Sequence, residues 1–170
     1  MKNIFFISDT HFGHSNICKF TDSKGKKVRP FDNACEMDEQ IIKNWNSVVA
    51  EHDKVYHLGD VAIPRRGLDI LERLNGKKVL IKGNHDIFQL NDYTKHFRDI
   101  RGAFVMDDII FTHIPVHTDS KQRFKANVHG HLHGDVIRDR NGEIDNFYIN
   151  VSVEQINYTP IPYESIKSII

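Results

Sequence analysis

The sequence predicts an α/β fold in which two β-sheets pack together and helices cover their outer faces. Residues 4–97 alternate between short apolar runs and helical patterns, the order expected for βαβ units around a largely parallel sheet. Residues 103–153 instead contain short apolar runs joined by turns, which is typical of strands that follow one another directly. A chain of 170 residues suits one core, so we expect a single domain over residues 1–170.

The first predicted elements are a buried strand and a long helix. Residues 4–7 form a continuous apolar run, as expected for a strand with both faces buried. Residues 24–32 are polar and basic and predict a surface loop. A helix is then expected over residues 34–50, because Asn33 and Glu36 fit a capping box. The buried stripe of this helix is predicted to contain Met37, Ile41, Trp45 and Val48.

The remaining elements follow from the same periodicities. Helices are expected at residues 67–74 and 87–97. The tetrapeptide Asp139-Arg140-Asn141-Gly142 predicts a hairpin turn. Strands are expected at residues 54–58, 79–82, 103–105, 109–112, 127–129, 135–138 and 147–153.

Composition narrows the class of partner and the location. Lys and Arg total 23 and Asp and Glu total 23, so the formal net charge of zero predicts no global attraction to nucleic acid or to a membrane. The first apolar run is too short for a signal peptide or a membrane span, so a cytoplasmic protein is expected. Cys18 and Cys35 lack metal-ligand spacing, and reduced thiols are expected at both positions.

Candidate metal ligands follow five of the predicted strands. In an α/β sheet the crevice beyond the carboxyl ends of the strands is where ligands bind, so these side chains are expected to converge. The two residues of each D-x-H or H-x-H pair lie two positions apart, and an extended backbone would direct both to the same side. The five segments are Asp9-Thr10-His11, Gly59-Asp60, Gly83-Asn84-His85-Asp86, His113 and Gly130-His131-Leu132-His133.

The donor types predict a site for two divalent ions. Carboxylate, imidazole and amide donors without thiolate suit Mn, Fe, Zn or Ni. The candidate ligands exceed what one ion needs, so two ions that share a bridging carboxylate are expected. Gly59, Gly83 and Gly130 each precede a ligand, where a strand must turn sharply and glycine permits backbone angles that other residues avoid.

These motifs resemble the signature blocks of a known superfamily. D-x-H, GD, GNHD, H and GHxH occur in the order of the calcineurin-like metallophosphoesterases, between Asp9 and His133. ISDTHFGH at residues 7–14, VYHLGDV at 55–61 and the segment Asn150 to Glu154 are similar to a compact, single-domain bacterial and phage branch. The resemblance implies a two-sheet α/β/β/α sandwich of the metallophosphoesterase type, with the metal site at the C-terminal ends of the strands.

The resemblance also implies a role for each motif residue. His85 would contact the phosphate and protonate the leaving oxygen. Many relatives have Asp or His three residues after the bridging carboxylate to orient this histidine, whereas this chain has Ile63, so the orienting group is open. The implied ligands are Asp9, His11, Asp60 and His133 for one ion, and Asp60, Asn84, His113 and His131 for the other, with Asp60 bridging.

Other histidines and a basic run are weighed against ordinary structural roles. His14 is balanced between a substrate contact and a loop residue, and it is retained as a candidate substrate-binding residue. His117 is interpreted as a loop histidine, and His57 and His129 as histidines inside strands with satisfied hydrogen bonds. The run at residues 24–29 has the charge to attract phosphates, but such runs on loops are usually solvated.

The sequence therefore predicts a binuclear metal-dependent phosphoesterase, with two divalent ions and Mn as the preferred metal. The expected substrate is a small phosphate ester, a phosphodiester ahead of a monoester, because the gaps between motifs leave no room for a cap domain. A nuclease of the same superfamily acting on nucleic acid is one alternative, and it would need a basic groove or an added domain. A non-catalytic scaffold with this fold is the other, although such proteins usually lose ligands. The oligomeric state is left open.

Overall fold

A computed structural model describes residues 2–21 and 25–170, which form nine strands, three α-helices and two 3-10 helices. The strands are β1 (Ile4–Ile7), β2 (Lys54–His57), β3 (Lys77–Ile81), β4 (Asp99–Arg101), β5 (Phe104–Met106), β6 (Ile109–Phe111), β7 (Ala126–His129), β8 (Tyr148–Asn150) and β9 (Ile161–Pro162). The α-helices are α1 (Ala34–Val48), α2 (Leu90–Thr94) and α3 (Tyr163–Lys167), and the 3-10 helices are Arg65–Arg73 and Thr118–Gln122.

The strands form two sheets, which confirms the predicted fold class. The first has the order β4-β3-β2-β1-β9, and its strands β1 to β4 run parallel. The second has the order β5-β6-β7-β8, in which β6, β7 and β8 run parallel. A bridge between Ser8 and Ser152 joins the segments that leave β1 and β8. The carboxyl ends of strands from both sheets therefore meet at one edge of the molecule.

Strand β1 has both faces buried, as its apolar run predicted. Phe5 and Ile7 belong to a core cluster that also contains Trp45 of α1. Phe6 points the other way, into a second cluster between the sheets, where its ring stacks on Phe111 at a centroid distance of 4.5 Å. This alternation is the period of two that a strand imposes on its side chains. The strand thus lies between two cores and holds its carboxyl end in place.

Helix α1 begins and ends close to the predicted positions. The Glu36 N–H donates to Asn33 Oδ1 at 3.0 Å, which is the expected cap. The Glu36 carboxylate, however, accepts from the Asp32 N–H instead of from the cap residue itself. Val48 was wrongly placed in the buried stripe: it is 41% exposed, and Val49, just past the helix, is buried instead.

Both of the other predicted helices are different in the structure. The segment expected as an α-helix at 67–74 is the 3-10 helix Arg65–Arg73, since its buried leucines at 68, 71 and 74 repeat every three residues, the period of that helix. The helix expected at 87–97 is only the five-residue α2. Residues 83–87 are occupied by turns, with the Ile87 N–H donating to the His85 carbonyl, so helix formation starts later.

The C-terminal third differs from the prediction mainly at two strands: the one expected at 147–153 is the three-residue β8, and the one expected at 135–138 does not form. The turn at residues 139–142 forms, but residues 135–138 contain only one isolated bridge, between Arg138 and Ile144. Most of residues 134–144 are exposed, so a hairpin there has no core to pack against. Strands β4 and β9 and helix α3 were not predicted. Over the described residues, no helix has the length and apolar content needed to span a membrane.

Candidate metal centre

All seven predicted ligands lie at the shared edge of the two sheets. Asp9 and His11 follow β1, Asp60 follows β2 and Asn84 follows β3, while the three histidines of the second sheet follow β6 and β7. Strands β4 and β5 lie between β3 and β6 in sequence, so the five ligand-bearing strands are not consecutive. Two groups form here, each with potential ligand atoms within 4.8 Å of one another: Asp9, His11 and His133, and Asp60, His113 and His131.

Asp60 lies between the two groups. Its Oδ2 atom is 3.7 Å from His11 Nε2 and 3.4 Å from His113 Nε2. Asn84 adjoins the second group, because its Oδ1 is 2.9 Å from His113 Nε2. This is the arrangement expected if one carboxylate serves two ions. The ligand roles themselves stay predictions.

The buried polar atoms of this centre fit a cation. Asp9 Oδ1 and both ring nitrogens of His11 are buried without a hydrogen-bond partner. Leaving a buried polar atom without a partner costs about 1–3 kcal/mol. A cation bound between these oxygen and nitrogen atoms would remove that cost. The second oxygen, Asp9 Oδ2, is already occupied by the His131 N–H and the Ser152 hydroxyl, each at 2.9 Å. Asp9 therefore directs its free oxygen toward His11 Nε2 and His133 Nε2, each 3.9 Å away.

Five of the seven ligands have a left-handed backbone, which corrects the expectation that the paired ligands lie on extended chain. The φ angles are 59° at Asp9, 49° at His11, 56° at Asp60, 70° at His131 and 50° at His133. A non-glycine residue in such a conformation costs of order 1–3 kcal/mol and persists only where surrounding contacts impose it. The ligand pairs thus converge through tight turns.

The three glycines have two different physical reasons. Gly59 has a φ of 97°, so it provides the backbone freedom that was predicted. Gly83 and Gly130 have no positive φ, which corrects that explanation for them. A Cβ at Gly83 would lie 2.3 Å from Asp60 Oδ1, and one at Gly130 would lie 2.0 Å from Ser8 Oγ. These two glycines allow neighbouring ligand loops to approach closely.

Asp86 supports the second group, and sequence reasoning assigned it no role. Its Oδ2 accepts from the N–H groups of Asp60 at 2.9 Å and Gly83 at 2.8 Å, and its Oδ1 accepts from Val61 at 2.9 Å. The loops after β2 and β3 are therefore tied together behind Asp60. Its place at the end of the GNHD motif was the available signal.

Arg29 and Glu154 were missed as well. Arg29 was taken as part of a solvated basic loop, but its side chain is fully buried and its Nε donates to Glu154 Oε1 at 2.7 Å. The loop interpretation holds for Lys27, which is half-exposed and pairs with Asp32 at 3.2 Å. Lys24 lies outside the described residues. The apolar Phe31, which is buried two residues later, was a signal that this segment turns inward.

Burial and neighbouring charges lower the pKa values of two histidines and one carboxyl group at or near the centre. Burial, and after it the Arg29 charge, lower the pKa of His11 to about 2, so the neutral ring keeps the lone pair of one nitrogen free for a cation. Burial opposes ionisation of Asp60, but its hydrogen bond and charge interaction with His113 outweigh burial and lower the pKa of Asp60 to about 2. Burial lowers the pKa of His57 to about 3.

His57 is a core histidine, in agreement with its interpretation. Thr10 Oγ1 donates to the Val61 carbonyl at 2.8 Å and lies 2.9 Å from His57 Nε2, so that nitrogen is the donor of the pair. Nδ1 accepts from the Gly59 N–H at 3.2 Å. Both ring nitrogens are satisfied without a cation. His57 thus fixes the turn between β2 and Asp60.

His85 lies on the exposed side of the centre. Its ring centroid is 5.7 Å from that of His11, and its backbone N–H donates to Asp60 Oδ1 at 2.8 Å. Within residues 2–21 and 25–170, no side chain hydrogen-bonds to its ring. Ile63 supplies no polar atom to do so. His85 therefore has the exposure a substrate contact needs, with its backbone anchored and its ring free to turn.

Of the three remaining candidate histidines, one lies at the rim of the centre. His14 lies at the rim, with its ring centroid 5.6 Å from that of His11 and 6.0 Å from that of Phe20, and its Nδ1 is buried without a partner. His117 is exposed and lies 3.5 Å from Asp119, as a loop histidine would. His129 is buried, with Nδ1 2.8 Å from the Gly130 carbonyl, but its Nε2 has no hydrogen-bond partner, so the expectation of satisfied hydrogen bonds is wrong for this ring.

The chain is similar to known proteins in both sequence and structure. The model of the calcineurin-like phosphoesterase superfamily domain matches residues 1–151. An uncharacterized protein of Methanocaldococcus jannaschii is 38% identical over 185 aligned residues, which cover 100% of this chain and 92% of that protein. The Gene 66 protein of Mycobacterium phage L5 is 33% identical over 91 residues, 51% of this chain and 41% of the phage protein. The crystal structure of a protein of unknown function from Aquifex aeolicus has a TM-score of 0.73 and 27% identity, covering 100% of both chains.

Proposed function

The chain belongs to the calcineurin-like phosphoesterase superfamily, and we propose that it is a phosphodiesterase that uses two divalent metal ions. Members of this superfamily are generally hydrolytic phosphoesterases that require divalent metals, so metal-dependent phosphoester hydrolysis is the chemistry of the family. The observation that supports two ions is the position of Asp60 Oδ2, within 3.7 Å of His11 Nε2 and 3.4 Å of His113 Nε2.

Seven residues would hold the two ions. Nitrogen and oxygen donors without thiolate suit Mn, with Fe, Zn or Ni as the other candidates. When bound, the ions supply Lewis-acid activation of the attacking water and neutralise charge on the phosphoryl oxygens. The first ion would be held by Asp9, His11, Asp60 and His133, and the second by Asp60, Asn84, His113 and His131.

The side chains then have separate tasks in the reaction. The attacking water would release a proton to solvent as its oxygen forms a bond to phosphorus, and the bond from phosphorus to the alcohol oxygen would break. His85, on the exposed side, would transfer a proton to the departing alcohol oxygen, a contribution of about a hundredfold to ten-thousandfold in rate. His14, at the rim beside His11, is the candidate contact for the phosphate or its substituent.

Two features of the rim favour a diester over a monoester. Strong selectivity for the additional charge of a monoester calls for extra cationic side chains. Arg29 is the described cation that contacts this centre, and it is fully buried and bonded to Glu154. An exposed aromatic side chain lies at the rim instead, because Phe20 is 51% exposed and its ring contacts that of His14. Ile87 and Ile114, which follow motif residues in sequence, are also exposed. An aromatic group at the rim suits a second, apolar or aromatic ester substituent.

Substrate class is tested by comparing two esters that share one leaving group. The kcat/KM for bis-p-nitrophenyl phosphate should exceed that for p-nitrophenyl phosphate at the same Mn concentration, with the Asp60→Asn protein as the control for contaminating activity. A clear preference for the monoester would reject the diester proposal. Nicking of a plasmid at rates above those for the small diester would favour the nuclease alternative, and intact metal content without turnover of any ester would favour a scaffold.

A further inference from the structure

A single buried arginine links one ligand turn of a metal group to a distant carboxylate. Arg29 donates from Nη2 to the Asp9 carbonyl at 2.5 Å and from Nη1 to the Thr10 carbonyl at 2.9 Å. Its Nε donates to Glu154 Oε1 at 2.7 Å. The Arg29 side chain is 0% exposed and that of Glu154 is 6% exposed. The guanidinium therefore joins the Asp9–His11 turn to a carboxylate 125 residues away along the chain.

Glu154 continues this connection to a third ligand of the same group. The Oε1 atom that accepts from Arg29 is also 2.9 Å from His133 Nδ1. A ligating histidine whose second nitrogen donates to a carboxylate has a fixed ring orientation and a fixed tautomer. With Nδ1 engaged, His133 presents Nε2 toward Asp9 Oδ1, 3.9 Å away. Arg29 and Glu154 thus contact the backbone or side chains around all three members of the Asp9, His11 and His133 group.

The chemistry of the pair explains why these residue types stand there. A buried guanidinium requires a negative partner, and Glu154 supplies it. The planar fork of arginine reaches three acceptors at once, which a lysine ammonium on a flexible stem does not reproduce. The left-handed φ angles of Asp9 and His11 need contacts that impose them, and the two Arg29 hydrogen bonds lie on the intervening backbone.

The other group has a different support. Asp86 binds the N–H groups of Asp60, Val61 and Gly83, and so holds the loops that carry Asp60 and Asn84. His113 is fixed by its own Nδ1, 2.8 Å from the Leu58 carbonyl. Across the part of the chain that the structure describes, no hydrogen bond links Asp86 to Arg29 or Glu154.

We propose that Arg29 and Glu154 are positioning residues for the ion held by Asp9, His11 and His133, whereas Asp86, which holds the loop of the shared ligand Asp60, supports both ions. Weakening the Arg29–Glu154 contact then weakens one ion and leaves the other in place. This inference rests on the proposed binuclear function. It adds that the ion at His133 can be weakened selectively.

The test measures metal binding itself. Mn titrations by calorimetry would compare the wild-type protein with Glu154→Gln, Arg29→Lys and Asp86→Asn, and anomalous diffraction would locate the retained ion. Glu154→Gln and Arg29→Lys should each weaken the ion at Asp9 and His133 by about 10- to 100-fold and change the other by less than about threefold. Asp86→Asn should weaken both ions, because it loosens the loop that carries the shared Asp60. Lys27→Met, which removes an exposed charge from the same loop, is the matched control and should change neither ion.

The outcomes separate this inference from the function on which it rests. Equal weakening of both ions in Glu154→Gln and Arg29→Lys would overturn the selective support while leaving two ions in place. A wild-type protein that binds one ion would instead overturn the binuclear function, and the inference with it. If the variants do not fold, nitrogen NMR of the metal-free wild type decides: His133 should carry a proton on Nδ1, and an Nδ1 without one would overturn the proposed contact with Glu154.

Discussion

The backbone N–H of His85 donates to Asp60 Oδ1 at 2.8 Å, so the proposed general acid is anchored to the proposed bridging carboxylate. Asp60 uses its two oxygens differently, because Oδ2 faces His11 and His113. A substitution at Asp60 should therefore affect both ions and the turn that carries His85. A change in the His85 side chain leaves this hydrogen bond intact.

Replacing the bridge should remove both ions. Asp60→Asn keeps an oxygen to accept from His85 but loses the charge shared between the groups. We expect both Mn affinities to fall by more than the roughly 100-fold limit typical of a supporting residue, with activity near background. Elemental analysis after dialysis and calorimetry measure this. Near-full activity of Asp60→Asn would contradict the binuclear proposal.

Removing the His85 ring should separate rate from metal content. His85→Ala should retain two Mn ions and lose about a hundredfold to ten-thousandfold in kcat. Because protonation matters most for poor leaving groups, the loss should be largest for alkyl esters and smallest for p-nitrophenyl esters. A series of diesters of rising leaving-group pKa provides the measurement. An equal loss across the series would contradict the acid role.

A methyl group at Gly130 should disrupt the centre. The added Cβ would lie 2.0 Å from Ser8 Oγ and 2.4 Å from Asp9 Oδ2, so the Asp9 turn must move. We expect Gly130→Ala to lower the free energy of unfolding by about 1–3 kcal/mol and to weaken Mn binding. Gly134→Ala is the matched control, since nothing lies within 4 Å of a Cβ there. Equal stability of the two variants in urea titrations would refute the close-approach explanation.

We expect the Phe20 ring to contribute to binding of the ester substituent and not to the rate of the chemical step. Phe20 is 51% exposed and packs edge-on against His14 at 6.0 Å. Phe20→Ala should raise KM for bis-p-nitrophenyl phosphate several-fold and change KM for a dimethyl-type diester little, because only the aromatic substituent loses a contact of about 1 kcal/mol. Val105→Ala, at an exposed apolar residue of β5, is the control. A uniform change in kcat would argue against the contact.

Two buried groups should give the stability opposite dependences on pH. Burial lowers the pKa of His57 to about 3, so between its unfolded value and about 3 the unfolded chain binds more protons. The stability that neutral His57 provides is then lost as pH falls below about 6.5, with a slope approaching 1.4 kcal/mol per pH unit. Subtracting the stability of His57→Gln from that of the wild type, from pH 4 to 6.5, isolates this slope. A flat difference would contradict it.

Asp38 provides the contrast. Burial raises its pKa to about 6 in spite of its hydrogen bonds from the Gly13 N–H, so the folded chain binds more protons between 3.8 and about 6. Relative to Asp38→Asn, the wild type should therefore lose stability as pH rises through this window. Water that reaches the carboxylate reduces the size of the effect. The same urea titrations measure both signs, and a positive slope for Asp38 would contradict its burial.

Local patterns were sufficient to predict most strands and the convergence of the candidate ligands. Asp9, Asp60, Asn84 and the motif histidines lie together as predicted because each follows an apolar strand, and parallel strands bring their carboxyl ends to one edge. The cap of α1 at Asn33 could also be predicted, since it depends on residues only three positions apart. Periodicity did not distinguish an α-helix from the 3-10 helix Arg65–Arg73, where a spacing of three satisfies both patterns over a short stretch.

Tertiary structure alone decided what holds those ligands in place. The contact between Arg29 and Glu154 joins residues 125 positions apart, and no spacing in the sequence reveals that they are partners, although Glu154 ends the segment 150–154 that resembles the bacterial and phage branch. Gly130 is required by the approach of Ser8, which is a property of two loops and not of either sequence. The positions of the candidate ligands can be predicted from the sequence because strand ends are local features. The residues that support them cannot, because long-range contacts depend on how distant segments pack.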